Sequence, residues 1–208
     1  LRVARGAVRA SGQRNDADAA TSNDDVAWPA VVAIVPARDE IAVIGETLQS
    51  LLRQDYRGSF SVIVVDDHSS DGTAALVRRM AASGGQRRNV SVVPAPSLPP
   101  GWSGKMWAVQ SGLTYVRSLA EQPGYLLLTD ADILHADDSL TNLVRRVRGG
   151  LVLASLMATL RCASFADHAW VPAYVFFFQM RYPFAWVTRA DRTTAAAAGG
   201  CMLVDRRA

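Results

Sequence analysis

Three acidic clusters stand where short apolar runs end. Carboxylates grouped this way can hold a hard cation, accept hydrogen bonds from a nucleobase or a ribose, or move a proton. The first is Pro36-Ala37-Arg38-Asp39-Glu40, the second Asp66-Asp67-His68-Ser69-Ser70-Asp71-Gly72-Thr73, and the third Thr129-Asp130-Ala131-Asp132. Unpaired anions gathered in one cleft repel, so these ends need either a cation or the hydrogen-bond donors of a ligand. In Asp130-Ala131-Asp132 the two acids can lie on either side of a tight bend and share Mg2+ or Mn2+. Only oxygen donors are in view, and ligand phosphates can complete the octahedron. The same triplet is also an ordinary solvated turn. Asp66 and Asp67 are adjacent, so on a strand end one points to each face and only one can line a given pocket. Residues 69–73 read as a turn and helix cap, and His68 inside that turn reads as a packing or surface residue rather than a base. Lys105 is the only lysine in the chain. Following the Pro/Gly-rich stretch 94–104, it would enter a helix with its amine directed back toward the strand ends, where a phosphate gains the charge and the helix N-terminus together. The alternative is an exposed lysine.

The elements that must position these residues follow from periodicity. Residues 31–35 form a continuous β-branched run closed by Pro36, the mark of a buried parallel strand. Ile41, Ile44, Leu48, Leu51 and Leu52 then fall on one helical face. Residues 61–65 predict a second strand, and Leu76, Val77 and Met80 a second helix ended near Gly84 and Gly85. Residues 90–93 predict a third strand, after which Trp107 or Ala108, Val109, Leu113 and Val116 restore a helical face. Residues 125–128, a helix with Leu140, Leu143, Val144 and Val147 on its apolar side, and a strand at 151–156 complete the alternation. This order predicts an α/β fold with a mostly parallel sheet and helices on both faces. In such sheets ligands bind beyond the carboxyl ends of the strands, which is where the acidic clusters stand.

Composition bounds the rest. With 208 residues, half of them hydrophobic and a fifth charged, the chain can bury the core of one α/β domain. A net charge of +3 makes no nucleic-acid footprint. Cys162 and Cys201 make neither a disulfide framework nor a metal motif and read as small buried hydrophobes. No run of eighteen or more apolar residues exists to span a bilayer. Residues 1–30 carry Arg2, Arg5, Arg9 and Arg14 and then Asp16, Asp18, Asp24 and Asp25. With too little apolar surface to offset the entropy of ordering, they read as a flexible lead-in ahead of a domain at 31–208. A membrane-adjacent basic stretch is the other reading. A chain that opens on Leu1 and stops at Ala208 after an apolar run reads as a piece of something longer.

Together the motifs resemble the nucleotide-sugar-binding half of a family 2 glycosyltransferase with the GT-A fold, from Val31 to about Val204. They run in order as Val35-Pro36-Ala37-Arg38-Asp39-Glu40, residues 65–73, Gly104-Lys105 with Ala108, and Asp130-Ala131-Asp132. More narrowly, residues 98–108 and Ala198-Gly199-Gly200-Cys201-Met202 resemble bacterial hopanoid-associated glycosyltransferases. The resemblance implies that Pro36, Arg38 and Glu40 border the nucleotide. Asp67, with Asp66 alongside, would meet the uracil or ribose of the donor, a UDP-sugar by the resemblance. Lys105 would meet the diphosphate, Asp130 the sugar or ribose as well as the metal, and Asp132 the metal. It further implies inverting transfer of a sugar to a lipid-type acceptor at the cytoplasmic face of the bacterial inner membrane. The family's base lies in an acidic pair past Gly199-Gly200, and Asp205 reads as the end of a strand. The resemblance therefore implies that residues 1–208 hold the donor site without the base.

The segment 170–186, WVPAYVFFFQMRYPFAW, is dense in aromatics. It reads either as a buried helix near the acceptor or as an interfacial helix at a membrane surface, interrupted at Pro183 and with Arg181 in reach of phosphate. Two other chemistries fit less well. A nucleotidyltransferase usually opens with a Gly-rich loop after its first strand, and 36–40 has no glycine. An Asp-x-Asp phosphatase places its pair after the first strand, not the fourth. A fragment that only binds nucleotide or membrane is the non-enzymatic alternative.

Overall fold

The computed structural model of the chain describes residues 27–83, 89–157, 165–181 and 197–207. Residues 1–26, Gly84, Gly85, Cys162 and 182–186, with Pro183 among them, lie outside the described residues. The elements are β1 (Val31–Ala37), α1 (Ile44–Leu52), β2 (Phe60–Asp66), α2 (Thr73–Ser83), β3 (Asn89–Pro94), α3 (Gly104–Arg117), β4 (Tyr125–Thr129), α4 (Ser139–Arg148), β5 (Leu153–Ser155), α5 (Phe165–Arg181) and β6 (Cys201–Asp205). They build a six-stranded sheet in the order β3-β2-β1-β4-β6-β5. β1 pairs in parallel with β2 and β4, and β2 with β3, while β6 runs antiparallel between β4 and β5.

Alternation along β1 divides the core in two. Val31, Ala33 and Val35 face α1, α2 and α4 and share a cluster with Ile44, Leu48, Val77, Leu140 and Val144. Val32 and Ile34 face α3 and meet Ala108 and Val116. Helices thus cover both faces, as the alternation predicts. The apolar stripe of α4 is the one read from the sequence, with Leu140, Leu143, Val144 and Val147 all buried. Each such side chain contributes roughly 1.5–3 kcal/mol of transfer free energy.

Several boundaries and faces differ from expectation. β1 continues through Pro36 to Ala37. Its pairing with β4 ends at Ile34 opposite Leu128, so no ladder bond toward β4 is asked of the proline nitrogen. α1 starts at Ile44, leaving Ile41 43% exposed in the preceding turn, and its buried stripe includes the polar Thr47 and Ser50. On α3 the buried residues are Ala108, Ser111, Gly112 and Val116, with the expected Leu113 packed half-buried beside them and Val109 outside this face. This helix lies so close to the sheet that a Cβ on Gly112 would come within 2.6 Å of Ile34 Cγ2. The apolar run at 151–156 forms only a three-residue edge strand, and it pairs antiparallel with β6. An edge strand has one neighbour, and Leu151 and Val152 before it are exposed.

Residues 28–30, counted with the lead-in by composition, are held to the domain. Trp28 meets Tyr56 edge-on at 5.4 Å, the Tyr56 hydroxyl donates to Pro29 O at 2.6 Å, and the Arg148 guanidinium lies 5.4 Å from the Trp28 ring centre. α5 carries Pro172 inside it. Trp170, Phe176, Phe177 and Met180 are 63–75% exposed, so these side chains are not those of a buried helix. No helix of the described residues is long and apolar enough to cross a membrane.

Candidate functional site

Strand order reverses between β1 and β4, because the chain builds outward from β1 through β2 to β3 and then returns to the other side of β1. The loops after β1 and β4 therefore diverge and leave a crevice at the carboxyl ends of the strands. A cavity of about 420 Å³ occupies it, lined by Pro36, Ala37, Arg38, Glu40, Asp67, Gly104, Lys105, Ala108, Asp130, Ala131 and Asp132. Seven of the eight residues singled out in the sequence line this one space. Asp66 does not, which corrects the expectation that it stands beside Asp67 in the site. Consecutive residues at a strand end face opposite ways, and Asp67 is the one turned inward.

Each wall has its own construction. Asp67 is 7% exposed, and its carboxylate lies 3.5 Å from Arg38 Nη1 and 3.3 Å from His68 Nδ1. Its Oδ2 sits where a Cβ on Gly104 would come within 2.6 Å, so a larger residue at the first position of α3 would displace the Asp67 carboxylate. Ser103, at the cap of α3, makes no side-chain cap bond, which leaves the first N–H groups of the helix open to a ligand. Lys105 is the second residue of that helix, and its Nζ reaches back to Asp130 Oδ1 at 2.6 Å. The amine is thus directed at the strand ends, as the sequence suggested.

The loop after β1 is braced by the loop after β2. Asp39 N–H donates to Ser69 Oγ, Glu40 N–H to Thr73 Oγ1, and Ile41 N–H to Asp71 Oδ2, all within 3.0 Å. Ser70 N–H returns a bond to Asp39 Oδ1 at 2.7 Å. Asp39 (φ 54°) and His68 (φ 59°) occupy the left-handed region at the two bends. Asp and His tolerate this conformation better than branched residues do. Residues 69–73 are thus the turn and cap the sequence implied and also a brace for Glu40, a cross-loop role with no local signature. His68 is exposed and does not line the cavity.

The site concentrates negative charge. Burial raises the Glu40 pKa above its usual value, and the neighbouring Asp132, Asp71, Asp130 and Asp39 carboxylates push it further the same way. Asp132 is exposed and has no hydrogen-bond or ion-pair partner among the described residues. Among the described residues, no group of three or more His, Cys, Asp or Glu is gathered as a metal cage. Two carboxylates with solvent access nonetheless fit a hard cation that takes its remaining oxygens from ligand phosphates and water. Asp205 is far from this chemistry: it ends β6 opposite Tyr125, at the start of β4, and its Oδ1 accepts Arg207 N–H at 2.8 Å. Cys201 is buried, as read from the sequence, and burial with the nearby Asp130 pushes its thiol up to about 12, so it carries no thiolate chemistry.

Known proteins share this sequence pattern and fold. A Rhizobium leguminosarum bv. viciae N-acetylglucosaminyltransferase is 28% identical over 177 residues, covering 84% of this chain and 37% of that protein. Among solved structures, a mannosyltransferase from Pyrobaculum calidifontis in complex with GDP-Man and Mn2+ superposes with a TM-score of 0.59. It is 25% identical, over 86% of this chain and 45% of that one. The mannosyl-3-phosphoglycerate synthase of Rubrobacter xylanophilus shares the fold, with a TM-score of 0.51 and 20% identity over 86% of this chain and 54% of that one. The chain spans less than half the length of the first two relatives. The sequence profile described as glycosyl transferase family 2 matches residues 32–208, and with the parallel βα order and the acidic cavity at its switch point, the chain belongs to glycosyltransferase family 2.

Proposed function

We propose that residues 31–208 form the donor-binding domain of a glycosyltransferase that takes a nucleotide-sugar, a UDP-sugar by the resemblance, and transfers the sugar to a lipid-type acceptor with inversion. The observation that carries this reading is the cavity with Lys105 and the open N-terminus of α3 on one side and Asp130 and Asp132 on the other. A nucleoside diphosphate matches such a pair of walls. Its phosphates would take the Lys105 charge and the α3 N–H groups, and its base or ribose would donate to Asp67, which Arg38 holds in place. Pro36 and Glu40 would border the nucleotide and Asp130 the sugar. Asp130 and Asp132 would hold a Mg2+ or Mn2+ ion, which supplies charge neutralisation to the departing diphosphate. Transfer breaks the bond between the anomeric carbon and the diphosphate oxygen and forms one to the acceptor oxygen, whose proton passes to a base. Lys105 is placed to follow the leaving charge, because its amine already spans the cavity.

Calorimetry with UDP, GDP and their sugars, with and without Mn2+, tests the reading. Binding of at least one of them, tightened by Mn2+, is the expected result; failure of all to bind to the folded chain overturns it.

The lipid-type, hopanoid-related acceptor rests on the resemblance of residues 98–108 and 198–202 and on the exposed face of α5. Trp170, Phe176, Phe177 and Met180 suit the headgroup level of a bilayer, which would put the parent protein at the cytoplasmic face of the bacterial inner membrane. Sedimentation with anionic liposomes should weaken when Trp170, Phe176 and Phe177 are changed to Ser, and undiminished sedimentation removes the membrane part of the reading.

A further inference from the structure

The loop that carries Asp130 and Asp132 is held from behind. α1 places three polar side chains, Thr47, Ser50 and Gln54 just past its end, on the face turned to the core, with exposures of 0%, 1% and 2%. Spacings of three and four residues put them on one stripe. All three reach the segment that follows β4. Thr47 Oγ1 donates to Ala131 O at 2.8 Å, the carbonyl between the two aspartates. Ser50 Oγ accepts from His135 N–H at 3.1 Å while donating to Thr47 O at 2.7 Å. Gln54 Nε2 donates to Ala136 O at 2.7 Å, and its Oε1 accepts from Leu140 N–H at 2.9 Å and from Ser139 Oγ at 3.1 Å.

His135 ties the same loop to β6. Its Nε2 lies 3.0 Å from Thr129 Oγ1, whose hydroxyl donates to Gly200 O at 3.1 Å. Burial lowers the His135 pKa to about 4, so the ring is neutral at pH 7. With the Thr129 proton directed at Gly200, the imidazole proton is assigned to Nε2 from the hydrogen-bond network. Nothing in sheet covering requires this polar stripe, since Leu48 and Leu51 on the same helix bury apolar side chains equally well. Its distinguishing property is direction: each group bonds backbone, and none of these bonds engages a carboxylate of Asp130 or Asp132.

We propose that Thr47, Ser50 and Gln54 are positioning residues for the Asp130-Ala131-Asp132 segment, fixing its backbone so that both carboxylates stay turned to the cavity for a cation and the donor phosphates. The proposal rests on the donor-site reading above. It also accounts for how mutually repelling acids stay together, because the opposite side of the loop is anchored to a buried helix.

The test uses the full chain and UDP, with GDP in parallel, titrated with and without Mn2+. Thr47→Val keeps the shape and removes the hydroxyl. It should reduce the gain in nucleotide affinity that Mn2+ brings by roughly 10-fold while leaving the affinity without Mn2+ unchanged, and Thr47→Ser should restore the gain. Ile44→Val, buried on the same helix without a bond to the loop, should lower the melting temperature and leave the gain intact. Ser50→Ala, read the same way, replaces Thr47→Val should the latter not fold. A Mn2+ gain kept in full by the hydroxyl-deleted chain overturns the proposal alone. A wild-type chain that binds nucleotide with no Mn2+ gain overturns the cation part of the reading and the proposal with it, and one that binds no nucleotide overturns the donor-site reading as a whole.

Discussion

The two acidic turns at the top of the sheet use the same residue type in opposite ways. In the turn after β2, Asp71 accepts Thr73 N–H, Thr73 Oγ1 and Ile41 N–H, and Asp39 in the adjoining loop accepts Ser70 N–H. There, carboxylates hold the backbone. In the turn after β4 the backbone is held by helix side chains, through Thr47 on Ala131 O and Gln54 on Ala136 O. Asp130 and Asp132 are left to the cavity, Asp130 with Lys105 as its ion-pair partner. A carboxylate that satisfies N–H groups builds a loop, whereas one whose loop is satisfied by other groups is available to a ligand. The distinction lies in the partners and not in the spacing.

The strongest way to break this comparison is to neutralise the available acids. Asp132→Asn should not lower the melting temperature, because the side chain is exposed, bonds nothing among the described residues and repels Glu40. It should cost on the order of 100-fold in the Mn2+-dependent part of nucleotide affinity, since a direct ligand is lost rather than a supporting bond. Asp130→Asn should lower the same quantity and also free Lys105. Calorimetry beside a thermal melt separates the outcomes. A fall of several degrees with nucleotide binding intact would make Asp132 a builder like Asp71 and remove the contrast.

How much of this was legible in the sequence follows from the range of the interactions. Residues 31–35 and the stripe Leu140, Leu143, Val144 and Val147 declare their elements locally, and the acidic clusters fall at strand ends that βα alternation makes adjacent. Seven of the residues that line the cavity are therefore legible in the sequence. Asp66 could not be sorted from Asp67 beyond the statement that one of them must turn away. The stripe of Thr47, Ser50 and Gln54 was written in the sequence as polar residues interrupting an apolar helical face, but its partners lie 82–86 residues along the chain. Helical period shows that a face is mixed, not what it meets. The same holds for β5, where the apolar run at 151–156 resembles a buried strand until β6, from the far end of the chain, takes the inner place. Gly104 and Gly112 likewise carry no local signal for the close approaches they make to Asp67 and Ile34.

A gentler perturbation sharpens the contrast from the building side. Asp71→Asn keeps one acceptor oxygen where two are in use, so one N–H of the brace loses its partner. The melting temperature should fall by a few degrees while Mn2+ still tightens nucleotide binding. Equal loss of the Mn2+ effect would show that the brace and the cavity acids are not separable.

Acid titration distinguishes builder from cavity wall by sign. The Thr73 hydroxyl, followed by the Ile41 and Thr73 N–H groups, holds the Asp71 carboxyl below its ordinary value of 3.8, despite an opposing desolvation effect. The folded chain thus binds that proton more weakly than the unfolded chain does. The stability Asp71 contributes is present above pH 3.8 and is lost as pH falls through its native value. Glu40 runs the other way. Burial, then Asp132, Asp71, Asp130 and Asp39, raise its carboxyl above 4.5, so the folded chain binds the proton more tightly. Its contribution is present below pH 4.5 and is lost as pH rises through the native value. Melting temperatures measured from about pH 3 to 7 should therefore lose part of their acid-side decline in Asp71→Asn and part of their decline above pH 4.5 in Glu40→Gln. Substitutions that shift both limbs alike would mean that the two carboxylates share one role, and that the charge crowded at the cavity is structural throughout.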